Sequence, residues 1–102
     1  MKLTVWLDST GRTRQFTVQG GTEDHAEAWH YYYDREGRLR FAHAVRGAVN
    51  DTRQEERVYY AEDGTEVRRI TEVKAGPGYP FGPLEPITDP SRWVRQVCLR
   101  GR

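Results

Sequence analysis

The chain has 102 residues, a length that fits one domain with one hydrophobic core. Its 16 basic and 15 acidic residues leave a formal net charge of +1, without the basic excess that is usual in nucleic-acid-binding domains. No apolar stretch approaches the roughly 20 residues of a membrane span, and a single cysteine, Cys98, excludes an internal disulfide. Twelve aromatic residues (three Trp, six Tyr, three Phe) predict an aromatic-rich core, because each ring buries a large area.

Three glycine-centred stretches predict a series of β-hairpins. Gly11, Gly37 and Gly64 follow one another at intervals of 26 and 27 residues, and apolar or aromatic residues precede each of them. In the first two stretches an aspartate, Asp8 or Asp34, stands three positions before the glycine, which is the signature of a type I turn. A glycine in the left-handed region after such a turn joins two antiparallel strands through a bulge.

Six short strands follow from the three hairpins. They predict a mainly β fold, an antiparallel meander over residues 1–75 that curves into an open or half barrel. The predicted strands cover residues 2–7, 13–19, 25–33, 38–48, 55–61 and 65–73.

The middle hairpin predicts one buried face and one wetter face, because side chains alternate along a strand. A turn that pairs Asp34 with Arg38 places Tyr33 opposite Leu39, Tyr31 opposite Phe41 and Trp29 opposite His43, and these six share the buried face with Val45. The wetter face then carries His30, Tyr32, Arg38, Arg40, Ala42 and Ala44.

The turn of this hairpin, "YYYDREGRLRF" (Tyr31 to Phe41), resembles the tyrosine–aspartate repeats of bacterial Rhs/YD proteins. The repeat runs Y-x-Y-D-x-x-G-R-L, and its matching residues are Tyr31, Tyr33, Asp34, Gly37, Arg38 and Leu39. The resemblance, shared with small bacterial proteins of unassigned role, supports the hairpin. The family strings many hairpins into a shell around a cargo, and three hairpins cannot enclose one, so the family's function is not carried over.

The tail over residues 76–102 begins with a proline-rich segment. Four prolines stand three residues apart, and polyproline II has three residues per turn, so their rings would line one edge. One interpretation is a stiff strut across the sheet, with Tyr79 and Phe81 packed against it. The other is a ligand for an aromatic groove on a partner protein. The four residues are Pro77, Pro80, Pro83 and Pro86.

A short C-terminal helix is predicted from about residue 90 to 99, packed on the same single domain. Asp89 can cap it, and Pro90 suits its first turn. Trp93 is predicted to anchor the helix in the core, and Cys98 to be a small packing residue.

No known catalytic motif occurs, so we predict no catalytic residue, no metal site and no cofactor. The predicted register puts His30 and His43 on opposite faces, which separates two of the three histidines. The acidic pair Glu55-Glu56 lies in or beside a predicted loop, where charges are usually solvated.

The sequence therefore predicts a non-catalytic binding module, with a protein partner or a second copy of the chain as the ligand. Nucleic acid is the first alternative, because an aromatic ring flanked by arginines on an open sheet can stack bases and hold phosphates. A small enzyme with an unassigned His/carboxylate site is the second. The predicted binding residues are His30, Tyr32, Arg38 and Arg40. The compartment of this soluble domain, cytoplasmic or exported, is left open.

Overall fold

The computed structural model describes residues 2–93, which form one antiparallel sheet, a C-terminal strap and the start of a helix. The six strands are neighbours in chain order, and within the described residues β1 and β6 are both free edges, so the sheet is open. The predicted meander is confirmed, and the predicted strand ends lie within two residues of the observed ones. The strands are β1 (Lys2–Leu7), β2 (Thr13–Gly21), β3 (His25–Tyr33), β4 (Leu39–Ala48), β5 (Arg53–Tyr60) and β6 (Glu66–Ala75).

The three hairpin turns are built alike and lie at the same end of the sheet. Gly11, Gly37 and Gly64 have φ values of 85°, 85° and 90°, in the left-handed region that L side chains rarely adopt. Each glycine N–H donates to the carbonyl oxygen three residues earlier, at 3.0 Å in all three turns. In the middle turn, Asp34 Oδ1 also accepts the Arg38 N–H at 2.9 Å. The repeated glycine turns are therefore confirmed.

The predicted register of the middle hairpin is correct at the turn and wrong beyond it. Tyr33 pairs with Leu39 as expected, but the register shifts at the next position, and Tyr31 then pairs with Ala42. The cause is a β-bulge that places the extra residue Arg40 in β4, because one inserted residue exchanges the two faces of a strand. Ala42 is consequently fully buried, and Phe41 lies on the opposite face.

One face of the sheet, the inner face, holds the hydrophobic core. The alanines of β4 are small, so the middle of this face is shallow, and two apolar side chains of the strap complete the cluster. Trp93 packs against the same cluster, with its ring centroid 6.4 Å from that of Phe16. The core residues are Phe16, Val18, Tyr31, Tyr33, Leu39, Ala42, Ala44, Val58, Tyr60, Leu84 and Ile87.

The strap, residues 76–89, crosses the inner face in an extended form. An extended segment without a partner strand leaves its backbone polar groups to be satisfied elsewhere. Side chains of the sheet satisfy them here: the Tyr31 hydroxyl donates to the Glu85 carbonyl at 2.8 Å, and the Tyr33 hydroxyl donates to the Ile87 carbonyl at 2.6 Å. Burial raises the pKa of both tyrosines, so both remain protonated donors.

A buried ion pair lies under the middle of the strap. The side chains of Arg46 and Glu56 are only 2% and 5% exposed, and their charged groups are 3.5 Å apart. Arg46 donates to the Gly82 carbonyl at 2.5 Å, and Glu56 accepts the Leu84 N–H at 3.0 Å. The placement of Glu56 in a solvated loop was wrong, because β5 begins at Arg53 and alternation turns this carboxylate toward the core.

Helix α1 begins at Pro90 and is described as far as Trp93. Asp89 Oδ1 accepts the Ser91 N–H at 3.1 Å, which is the capping contact expected of a residue before the first turn. The remainder of the predicted helix, and with it Cys98, lies outside the described residues.

The substitution Glu56→Gln should lower the free energy of unfolding by about 3 kcal/mol, because it removes the carboxylate that faces both Arg46 and Arg69 and weakens the bond to the strap. The buried Arg46 then keeps only Glu27, whose Oε1 lies 2.7 Å from Arg46 Nε, as a paired carboxylate. Urea unfolding followed by circular dichroism measures the change. Glu36→Gln is the matched control: Glu36 also pairs with an arginine but its side chain is 62% exposed, so less than about 0.5 kcal/mol should be lost. Equal losses in the two variants would contradict a structural role for the buried pair.

Candidate binding face

The face of the sheet opposite the strap, here called the outer face, is the candidate site. Within residues 2–93 the strap covers the inner face only, and exposed apolar side chains remain on the outer one, among them Trp6 at 47% and Tyr59 at 38%. Strand pairing aligns the outer-face side chains in rows that cross all six strands. Two neighbouring rows lie near the middle of this face. They are the aromatic row (Trp6, Gln15, Tyr32, Phe41, Tyr59 and Arg68) and the histidine row (Thr4, Thr17, His30, His43, Arg57 and Ile70).

Three side chains of the aromatic row, Tyr32, Phe41 and Tyr59, contact one another and form an exposed strip of rings, called here the ring ledge. Phe41 lies at its centre, with its ring centroid 5.5 Å from Tyr32 and 4.9 Å from Tyr59. Gln15 donates to the Tyr32 hydroxyl at 3.5 Å and extends the ledge toward β1. Contacts of this kind are worth about 0.5–1.5 kcal/mol per aromatic pair, so the rings are held in place without being covered.

The histidine row carries a chain of polar contacts beside the rings. Thr17 Oγ1 lies 3.2 Å from His30 Nδ1, the two imidazole rings stack with centroids 5.9 Å apart, and His43 Nε2 lies 3.0 Å from Glu55 Oε1. The prediction that His30 and His43 point to opposite faces is wrong, because the bulge at Arg40 brings them into direct register.

The surroundings of His30 disfavour its protonated form. The pKa of His30 lies below its ordinary value, first because burial disfavours the protonated ring and second because a charged His43 would repel it. The pKa of Glu55 is lowered in turn, chiefly by its hydrogen bond to His43. Within residues 2–93, no group of three or more His, Cys, Asp or Glu side chains is arranged to hold a metal ion.

Charges on the outer face gather at its β5–β6 side. Glu55 lies 3.4 Å from Arg57 and 3.5 Å from Lys74, and Lys74 lies 2.6 Å from Glu72. Arg68, at the end of the aromatic row, makes no ion pair with any residue in the described range. The ledge therefore ends on a guanidinium that is available to a ligand.

The four predicted binding residues are divided between two places. His30 and Tyr32 lie on the outer face, beside the rings that the bulge brought there. Arg38 and Arg40 are engaged at the turn end instead: Arg38 lies 2.9 Å from Asp34 and 3.2 Å from Glu36, and Arg40 donates to the Tyr60 carbonyl at 3.0 Å. Sequence reasoning missed Phe41, His43 and Tyr59, and only knowledge of the bulge position would have identified the first two.

The two free edges of the sheet differ in charge. Edge strand β6 carries Glu66, Arg68, Arg69, Glu72 and Lys74, and charged edges oppose unspecific strand pairing. Edge strand β1 has a single charged residue in the described chain, Lys2, and leaves Leu7 60% exposed. The apolar edge therefore continues the exposed surface of the aromatic row.

Several open depressions lie beside the strap and the turns. The least polar of those found has a volume of about 310 Å³ and lies between Leu39, Tyr60 and Pro86. Within the described residues, no helix is long and apolar enough to cross a membrane.

NMR titration of the imidazole protons should place the pKa of His30 below 6.5, and His43→Gln should raise it, because the repulsion is removed and only the burial penalty remains. A histidine whose pKa is depressed by folding stabilises the fold above pH about 6.5 and loses that contribution as the pH falls. Gln19→Ala, an uncharged change on the same face, should leave the His30 titration where it is. A His30 pKa unmoved by His43→Gln would contradict the coupling.

Comparison with known proteins adds no relative on which to base a function. No protein-family model matches the chain, and no significant similarity to a curated protein or to a solved structure was found. The resemblance of Tyr31–Phe41 to YD-type repeats stays a prediction.

Proposed function

We propose that the protein is a non-catalytic binding module that docks a protein partner on its outer face. The observation that carries the proposal is the aromatic row, three contacting rings held on a sheet face that no described segment covers. Aromatic residues and arginine are the residue types enriched at the centres of protein interfaces.

The distribution of charge favours a protein partner over a polyanion. Apart from Lys2 on β1, charged side chains of the outer face lie toward its β5–β6 border, where both signs are present and most are paired with one another. An apolar, aromatic centre with a polar border is the usual anatomy of a protein interface. The size also fits: six strands about 4.8 Å apart, with 6 to 10 residues each at about 3.3 Å per residue, give a face of roughly 700 Å². This is close to the approximately 800 Å² that each partner buries in a standard complex.

Binding is better supported than proton transfer at the same residues. His43 and Glu55 form an acid–base pair at 3.0 Å, but the pair lies on a flat, open face. General acid–base catalysis needs such a pair inside a cleft that positions a substrate and limits water.

A photo-crosslinking amino acid in place of Tyr59, introduced in the cells that make the protein, should capture the partner, which is then purified and its affinity measured. Phe41→Ser and Tyr59→Ser should each weaken binding at least about tenfold, because central aromatic side chains supply most interface energy. Val67→Ser is the control, since Val67 is 62% exposed but belongs to neither row.

Sedimentation equilibrium of the purified protein covers the case in which the partner is a second copy. Self-association should then be lost in Tyr59→Ser and kept in Val67→Ser. A purified partner, or a second copy, that binds the two serine variants of the aromatic row as tightly as the unchanged protein would overturn the assignment of this face.

Single-stranded nucleic acid is a second candidate because of one observation: Arg68, at the end of the ring ledge, forms no ion pair with any residue from 2 to 93. Bases could stack on Tyr32, Phe41 and Tyr59 while Arg68 contacts a phosphate. This candidate predicts quenching of intrinsic fluorescence by a twelve-nucleotide dT or U oligomer, weaker at 200 mM than at 50 mM NaCl and reduced by Arg68→Gln. Absence of salt-dependent binding would exclude it.

A further inference from the structure

The strap buries every third residue. Leu84, Ile87 and Pro90 are buried and Phe81 is half-buried, so one edge of the segment faces the sheet. The step of three residues is that of polyproline II, which has three residues per turn. The four prolines named from the sequence, Pro77, Pro80, Pro83 and Pro86, are all exposed, so none of them belongs to the buried edge.

The strap is fixed along its buried edge, and its outer side is left free. Bonds to Arg46, Glu56, Tyr31 and Tyr33 hold the backbone at four successive places between residues 82 and 87. The carbonyl groups of Pro83 and Pro86 accept no hydrogen bond from any residue between 2 and 93. The outer side therefore presents proline rings and free acceptors in a fixed extended form.

We propose that residues 82–86, Gly-Pro-Leu-Glu-Pro, are a docking site for a domain that reads polyproline II through a groove lined by aromatic rings. A polyproline II helix is a three-edged prism, and such a groove takes two edges, as two successive x-Pro pairs. The pairs here are Gly82-Pro83 and Glu85-Pro86, and all four residues are exposed. Leu84 stands between the two pairs, and a groove would leave it uncovered. In this structure its side chain anchors the strap in the core.

The charge of the segment specifies the groove further. Between residues 76 and 89 the side chains charged at neutral pH are Glu85 and Asp89, and both are acidic. Glu85 lies within the second x-Pro pair and is exposed. The partner should therefore carry a basic residue at the rim of its groove, next to the pocket that receives Glu85-Pro86.

Fixing the strap on the sheet should also strengthen binding. A free proline-rich peptide loses conformational entropy when it enters a groove, and a segment already held extended loses less. The intact protein should consequently bind such a domain more tightly than a synthetic peptide of residues 79–90 does.

A panel of purified SH3-, WW- and EVH1-type domains, titrated by isothermal calorimetry, tests the proposal. We expect at least one domain to bind the intact protein with a Kd below 100 µM, at least threefold tighter than the peptide. The double substitution Pro83→Ala/Pro86→Ala should weaken binding at least tenfold, and Glu85→Lys should weaken it for domains with a basic rim.

Two controls separate this site from the rest of the molecule. Pro77→Ala changes an exposed proline outside the docking segment, and Tyr59→Ser changes the opposite face, so neither should alter the affinity. The melting temperature of the double variant should fall by no more than a few degrees, because Pro83 and Pro86 are exposed and their loss acts mainly by making the unfolded chain less restricted. Three results would overturn the proposal. They are no binding of the intact protein by any domain at 1 mM, an affinity of the double variant equal to that of the unchanged protein, and a domain that binds the peptide but not the intact protein.

Discussion

The buried Arg46–Glu56 pair is the interaction on which the rest of the structure depends. A charged pair on the core side of a sheet is costly to desolvate unless its remaining hydrogen-bonding capacity is used. Part of it is used within the sheet, where Glu27 pairs with Arg46 and Arg69 pairs with Glu56. The strap uses the rest: the Gly82 carbonyl accepts from Arg46, and the Leu84 N–H donates to Glu56. The same contacts satisfy backbone groups of the strap, so the sheet and the strap depend on each other for their buried hydrogen bonds. The pair thereby determines which face is closed.

Closing the inner face leaves the outer face as the open surface, since a single sheet has two faces and the described chain supplies one strap. Which residues occupy that open surface is decided by the bulge at Arg40. It sends the small Ala42 and Ala44 inward, where they leave room for Leu84 and Ile87, and it sends Phe41 and His43 outward. The depth of the core and the chemistry of the outer face therefore have the same local origin.

The two proposed binding surfaces lie on opposite sides of the sheet and differ in the source of their binding free energy. The outer face offers broad aromatic contact, whose strength comes from desolvating the rings of Tyr32, Phe41 and Tyr59. The strap offers a narrow preformed ligand, whose strength comes from a low entropic cost of binding. Because they share no residue, a chain of this size could hold two partners at once, with the sheet between them as a rigid spacer.

The sequence by itself determined what depends on neighbouring residues. The glycine turns at Gly11, Gly37 and Gly64 follow from the left-handed backbone that only glycine adopts without strain, and the proline spacing follows from three residues per turn. The bulge after Leu39 was not predictable, because one inserted residue leaves the alternation of nearby side chains almost unchanged in the sequence. The contact between Arg46 and Gly82 spans 36 residues, and no local pattern of charge or hydropathy encodes it. Only the tertiary structure decided which face is covered, because that choice depends on where the strap returns to the sheet.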